Sequence, residues 1–215
     1  MSKTSTPVDA TLFAYLTGKT IPQDDYLSRL CDAANEAGLP EIQIAPEQAA
    51  FLRIVLTAMG ARTVVEVGTL AGYSAISMAR ALPAGGKVIT HEVEAKHAEF
   101  ARRWIADSDQ NGKVEVVLGP AAETLARIPD GSADAMFVDA DKTGYVGYLQ
   151  HAMRIVRPGG AILADNVLAS GRIADGTGEK EQALRAFLDA AQARDDLHGV
   201  VVPLGDGIWF GTRLR

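Results

Sequence analysis

Two apolar runs, each closed by acidic residues, constrain the fold of this chain more than any other feature. Ala135-Met136-Phe137-Val138 runs into Asp139-Ala140-Asp141-Lys142, and Ala161-Ile162-Leu163-Ala164 runs into Asp165-Asn166. Short, continuous apolar runs of this kind read as strands buried on both faces, the pattern of a parallel sheet. In open α/β sheets, ligands bind in the crevice beyond the carboxyl ends of the strands. Neighbouring strands ending in Asp and Asp-Asn bring three hard oxygen donors to that edge. Such donors suit Mg²⁺, Mn²⁺ or Ca²⁺ better than zinc or copper. Lys142, three residues beyond Asp139, adds a candidate base. Asp at a strand end also caps turns, but here two adjacent ends would need the same coincidence. The pattern is that of a metal-assisted active site.

The rest of the chain alternates in the way a parallel sheet requires. Strands are expected over residues 63–67, 87–90, 114–118, 135–139 and 161–165. Helices are expected over 74–82, 95–106, 121–126, 145–156 and 180–192. Strands alternating with helices imply right-handed βαβ crossovers and an α/β fold. Residues 200–202 and 208–210 flank the turn Leu204-Gly205-Asp206-Gly207 and read as a terminal hairpin that adds an antiparallel strand. The first 60 residues read as helical. One helix over 26–37 stops at Gly38-Leu39-Pro40, and another starts at Pro46, with Phe51, Leu52, Val55, Leu56 and Met59 at helical spacing. A single domain over 1–215 is expected, with a helical segment (1–60) and an α/β core (61–215). The glycine-containing loop 168–178 is expected to be a mobile flap over the site. Tyr145 and Tyr148 are read as helix packing.

Composition narrows the function classes. The 215 residues are enough for a substantial core, and 47% hydrophobic with 22% charged is ordinary for a globular protein. A net charge of -6 without a local Lys/Arg cluster argues against nucleic acid as a partner. Cys31 is the single cysteine, so neither an internal disulfide nor a cysteine metal site can form. The four histidines are scattered, none at paired metal spacing. No run approaches the roughly 18 apolar residues of a membrane span, so a cytoplasmic location is expected.

A second ligand region follows the first strand, in Glu66-Val67-Gly68-Thr69-Leu70-Ala71-Gly72-Tyr73-Ser74. Glycines at a strand-to-helix turn let a ligand approach the backbone closely. The spacing is G-x-x-x-G, so the G-x-G-x-x-G turn of a dinucleotide site is absent. Glu66 is an acid inside an apolar strand, and a buried carboxylate is costly without partners. It is expected to face a cation or hydrogen-bond donors. Glu92, 24 residues after Gly68, stands where an acid can accept hydrogen bonds from ribose hydroxyls.

The motifs VVEVGTLAGYSA, GPAAETL, FVDADKTGY, RPGGAILADNVL and PLGDG, in this order, resemble the cation-dependent O-methyltransferases, the group of caffeoyl-CoA and catechol methyltransferases. The resemblance runs from about Ile42 to the C-terminus. It implies a Rossmann-like class I methyltransferase fold, with a seven-stranded, mostly parallel sheet, one antiparallel strand and helices on both faces. It also implies S-adenosylmethionine as methyl donor and a divalent cation, with Mg²⁺ expected. Position by position, it assigns Ile42, Glu66, Gly68, Ser74, Glu92, Ala121, Asp139 and Asp141 to donor binding, with Asp139 also a catalytic residue. Asp139, Asp165 and Asn166 become the metal ligands and Lys142 the base. The implied acceptor is a small catechol-like or vicinal-hydroxyl aromatic. Members are commonly dimers, so a homodimer is expected. Where relatives often carry an aromatic residue after Asn-Val-Leu, this chain has Ala169-Ser170-Gly171, and Leu188 stands where Asn is common. Coenzyme A thioester specificity therefore does not carry over. Two other classes compete: a nicotinamide-dependent oxidoreductase, which lacks its glycine turn, and a non-catalytic donor-binding protein.

Overall fold

A computed structural model describes residues 6–19 and 23–215; parts of the 1–60 expectation (residues 1–5 and 20–22) lie outside them. Three helices come first: α1 (Ala10–Thr17), α2 (Asp25–Glu36) and α3 (Pro46–Ala58). Then strands and helices alternate: β1 (Thr63–Val67), α4 (Tyr73–Ala81), β2 (Lys87–Glu92), α5 (Ala95–Asp107), β3 (Val114–Leu118), α6 (Ala121–Leu125) and β4 (Ala133–Val138). A 3₁₀ turn (Lys142–Gly144) leads into α7 (Tyr145–Ile155), β5 (Val156–Ala164), α8 (Glu179–Gln192), β6 (Leu197–Val202) and β7 (Ile208–Arg213).

The seven strands lie in the order β3-β2-β1-β4-β5-β7-β6. Only β7 runs against its neighbours, pairing antiparallel with both β5 and β6. Successive side chains of a strand point to opposite faces, and each central strand feeds two cores. Val64, Ala135, Phe137, Ala161 and Leu163 pack under α2 to α5. Val65, Met136, Val138, Ile162 and Ala164 pack under α7 and α8, where Phe187 stands edge-on to both Tyr145 and Trp209. Burial on both faces explains why these strands read as unbroken apolar runs. The chain leaves β1 toward β2 on one side and returns to β4 on the other. This reversal opens the crevice between the ends of β1 and β4.

Three expectations need correction. β5 begins at Val156, not near Ala161, because Val156 already pairs with Ala133 before a register shift brings Ala161 opposite Ala135. Gly160 allows that irregularity, since a Cβ there would run into the Asp134 carbonyl. The terminal strands are also longer than the apolar residues alone suggest. Finally, the loop 168–178 is tied down. Arg172 pairs with Glu181 at 2.8 Å, Arg185 donates to the Ile173 and Gly176 carbonyls, and Asp206 Oδ1 accepts from Ser170 N at 2.7 Å. None of its residues lines the main cavity.

Candidate active site

Backbone hydrogen bonds fix the strand ends as a staircase. Gly68 N donates to His91 O, Asp139 N to Val67 O, and Asp165 N to Val138 O, at 2.9–3.0 Å. Each residue that leaves a strand is therefore held by the strand beside it. A cavity of about 610 Å³ opens above this edge. Its walls include Gly68 to Ala71, Glu92, Ala121, Asp139, Asp141, Lys142, Asn166 and, from the segment before α3, Ile42 to Ile44. Of the residues singled out in the sequence, only Glu66 and Asp165 lie behind its walls.

Gly68 shapes the floor. Its φ of +99 lies in the left-handed region, and a Cβ would fall onto the Asp139 carbonyl. The turn after β1 thus rests directly on the end of β4. Leu70, at φ 47, is a strained non-glycine position whose N–H donates to Glu92 Oε2 at 2.8 Å. Glu94 N donates to Glu92 Oε1 at 3.0 Å. The Glu92 carboxylate is buried and aimed by two amides at the cavity edge.

At the acidic pole, Asp139 is paired with Lys142, Nζ to Oδ1 at 3.2 Å. Lys142 also donates to the Tyr145 hydroxyl at 2.6 Å, which in turn donates to the Asp165 carbonyl at 2.9 Å. Among the described residues, no cationic side chain pairs with the Asp165 carboxylate. Gln48 Nε2 donates to Oδ1 at 2.5 Å, and Asn166 Nδ2 donates to Oδ2 at 3.2 Å. Burial, then repulsion from Asp139, pushes the Asp165 carboxyl up to about 7. Burial also raises Asp139, against the pull of Lys142, and lowers Lys142, against the pull of Asp139. Among the described residues no group of three or more His, Cys, Asp or Glu could hold a metal. The donor set here is instead two repelling carboxylates and the amide oxygen of Asn166, whose φ of 57 turns it back into the crevice. Three hard oxygens, with two carboxylates facing the single ion-paired amine of Lys142, fit a divalent cation completed by further oxygen ligands.

At the other pole, Ser74 Oγ donates to Glu66 Oε1 at 2.5 Å, while Glu66 Oε2 has no hydrogen-bond partner among the described residues. Glu66 is therefore a buried prop beneath Ser74, which itself lines the cavity. Glu66 does not itself line the cavity, because its strand position points it toward α4. Burial, opposed by the hydroxyls of Ser74 and Thr90, pushes its carboxyl up to about 8. The folded protein thus retains a proton that the unfolded chain releases near pH 4.5. The associated stability is fully present below that pH and is lost as pH rises through 8. Glu66→Gln, neutral at every pH, should unfold like wild type at pH 5. At pH 8.5, without ligand, it should melt higher by on the order of 5 °C. Thermal unfolding across this range tests it, and parallel curves for the two proteins would contradict the buried-proton account.

Several cavity residues escaped the sequence reading. His91 is buried, with Nδ1 2.8 Å from Thr124 Oγ1 and Nε2 without a partner among the described residues. Burial drops its pKa to about 4, so it is neutral near pH 7. Tyr148, read as packing, lines the cavity and donates to Asp141 Oδ1 at 2.5 Å. Tyr145 does pack in the core, as expected, but its hydroxyl also holds Lys142. Lys180, at the start of α8, lines the acidic pole. Only His91 carried a local signal, as a polar residue closing the apolar run of β2. Gln48 and Lys180 arrive from distant elements.

The family model described as O-methyltransferase matches residues 18–214. The chain belongs to the O-methyltransferase family. This O-methyltransferase is 40% identical over 156 residues to a catechol O-methyltransferase of Niastella koreensis, covering 71% of each chain. It is 40% identical over 160 residues to another from Mycobacterium tuberculosis, covering 74% of this chain and 73% of that one. An O-methyltransferase from Bacillus cereus, solved in complex with SAH, superposes with a TM-score of 0.87 at 32% identity. That match covers 94% of this chain and 97% of the other. The fold is the Rossmann-like class I methyltransferase fold, as the motif order implied. The nicotinamide reading fails on both counts, glycine spacing and family. No helix of the described residues is long and apolar enough to cross a membrane.

Proposed function

We propose that this O-methyltransferase moves the methyl group of S-adenosylmethionine onto one hydroxyl of a small vicinal-dihydroxy aromatic, with Asp139, Asp165 and Asn166 holding a divalent cation. The observation that carries this reading is the seating of the Gly68 turn on the Asp139 carbonyl. It joins the donor wall and the acidic pole through one backbone contact, so donor and acceptor meet where β1 and β4 end. When bound, S-adenosylmethionine supplies an electrophilic methyl carbon, and the cation acidifies and orients the acceptor hydroxyl.

The protein's own groups do the rest. Gly68 to Ala71 approach the donor with bare backbone, Glu92 accepts hydrogen bonds from ribose hydroxyls, and Ile42, Ser74, Ala121 and Asp141 complete that wall. Lys142, its amine made less basic by burial and aimed by Tyr145, takes the hydroxyl proton at Nζ. The acceptor oxygen then forms its bond to the methyl carbon as the carbon–sulfur bond breaks, and the electron pair leaves on sulfur as a neutral thioether. Fixing both partners in line contributes about 7–11 kcal/mol of barrier lowering. Calorimetric titration with S-adenosylmethionine, then catechol methylation with and without EDTA, tests the reading. Donor binding with EDTA-resistant turnover would remove the cation from it, and no donor binding would remove the donor. Lys142→Met should lower kcat by roughly 10²–10⁴ at nearly unchanged KM for the acceptor. A kcat within threefold of wild type would take the base role from Lys142.

A further inference from the structure

We infer that Gln48 is a positioning residue that orients the Asp165 carboxylate and thereby sets the affinity of the acidic pole for a divalent cation. The inference rests on the reading of Asp165 as a cation ligand. Gln48 lies in the first turn of α3, 117 residues before Asp165, yet its side chain is buried and both ends of its amide are used. Nε2 donates to Asp165 Oδ1 at 2.5 Å, and Oε1 accepts from Ala45 N at 3.0 Å. The terminal turn makes room for it. Gly205, at φ +57, sits so close that a Cβ would overlap the Gln48 carboxamide.

The two oxygens of Asp165 are thus each held by one neutral amide, Gln48 on one side and Asn166 on the other. A neutral donor fixes the plane of the carboxylate without cancelling its charge, and each oxygen keeps a further lone pair for a metal. A lysine or arginine at position 48 would orient Asp165 equally well but would compete with the cation. Removing the amide strands a buried carboxylate oxygen and lets Asp165 turn away from Asp139. Groups that orient metal ligands typically change affinity by 10–100-fold.

The amide has a second duty, because Ala45 cannot cap α3 with its own side chain and Gln48 closes that turn. The test must separate the two. Gln48→Met loses both contacts at similar volume, whereas Gln48→Met with Ala45→Ser adds a capping hydroxyl that accepts from the first-turn amides and offsets the stability lost with the acceptor of the position-45 N–H, so that the Asp165 contact is the loss the metal titration reads. Calorimetric titration of the metal-free proteins with Mn²⁺, alongside thermal unfolding and S-adenosylmethionine titration, is the experiment. The double variant should melt close to wild type and bind the donor within about threefold, with Mn²⁺ affinity down by about 10–100-fold. A folded double variant with Mn²⁺ affinity within twofold of wild type would overturn the inference while leaving the proposed function intact. A wild-type protein that binds no Mn²⁺, with or without donor, would overturn the cation reading itself.

Discussion

Asp139→Ala should reduce catechol methylation by at least about a thousandfold, a loss of about 4 kcal/mol in transition-state stabilisation. Two functions leave with one carboxylate. Asp139 is one of three oxygen donors at the acidic pole, and it is the ion-pair partner that holds Lys142 at 3.2 Å. Folding should survive. Asp139 is partly and Asp165 fully buried, and the two are like charges, so removing one relieves the repulsion that helps push the other up to about 7. The same change strands the Lys142 amine, and these effects oppose each other. A melting temperature within a few degrees of wild type is expected, and wild type treated with EDTA should fall to the activity of the variant. A variant that turns over at a tenth of wild type or more, with or without EDTA, would leave Asp139 a structural strand end.

Gly68→Ala should be the most damaging single methyl group in the protein. At φ +99 an alanine carries left-handed strain of about 1–2 kcal/mol. Its Cβ also meets the Asp139 carbonyl, backbone against backbone, so no side chain can rotate aside, and overpacking of this kind adds about 1–3 kcal/mol. The sum, about 2–5 kcal/mol, corresponds to roughly 5–20 °C in melting temperature for a chain of this size. Relief can come only by parting the ends of β1 and β4, which would also spoil the donor wall. S-adenosylmethionine titration should therefore show binding weakened far beyond the loss in stability. Gly60→Ala is the control. Its φ is +63, but no atom lies within 4 Å of the added methyl, so it carries the strain without the collision. Equal effects at the two glycines would mean that the contact with Asp139 does not matter.

The legible part of this protein was local. β1, β2, β4 and β5 could be read because burial on both faces leaves largely apolar runs, and β7 because a Gly-Asp-Gly turn precedes it. Asp139, Asp165 and Asn166 were identifiable as neighbours without coordinates, since consecutive parallel strands end at the same edge of a sheet. Glu66 was identifiable as a buried acid, but its hydrogen bond from Ser74 was not. The start of β5 was misplaced because Arg157-Pro158-Gly159-Gly160 carries no strand pattern. Its strand status comes from pairing opposite Ala133.

The order of apolar runs, glycine turns and strand-end acids therefore determined the sheet, the crevice and the chemical character of its lining, because each depends on periodicity and chain direction over a few residues. Only the tertiary structure decided how those groups are aimed. Gln48 reaches Asp165 across 117 residues, Tyr145 holds Lys142, Lys180 enters from α8, and Gly205 clears space for a side chain on α3. Such contacts join elements by packing, and no local pattern marks a residue whose partner lies on another helix.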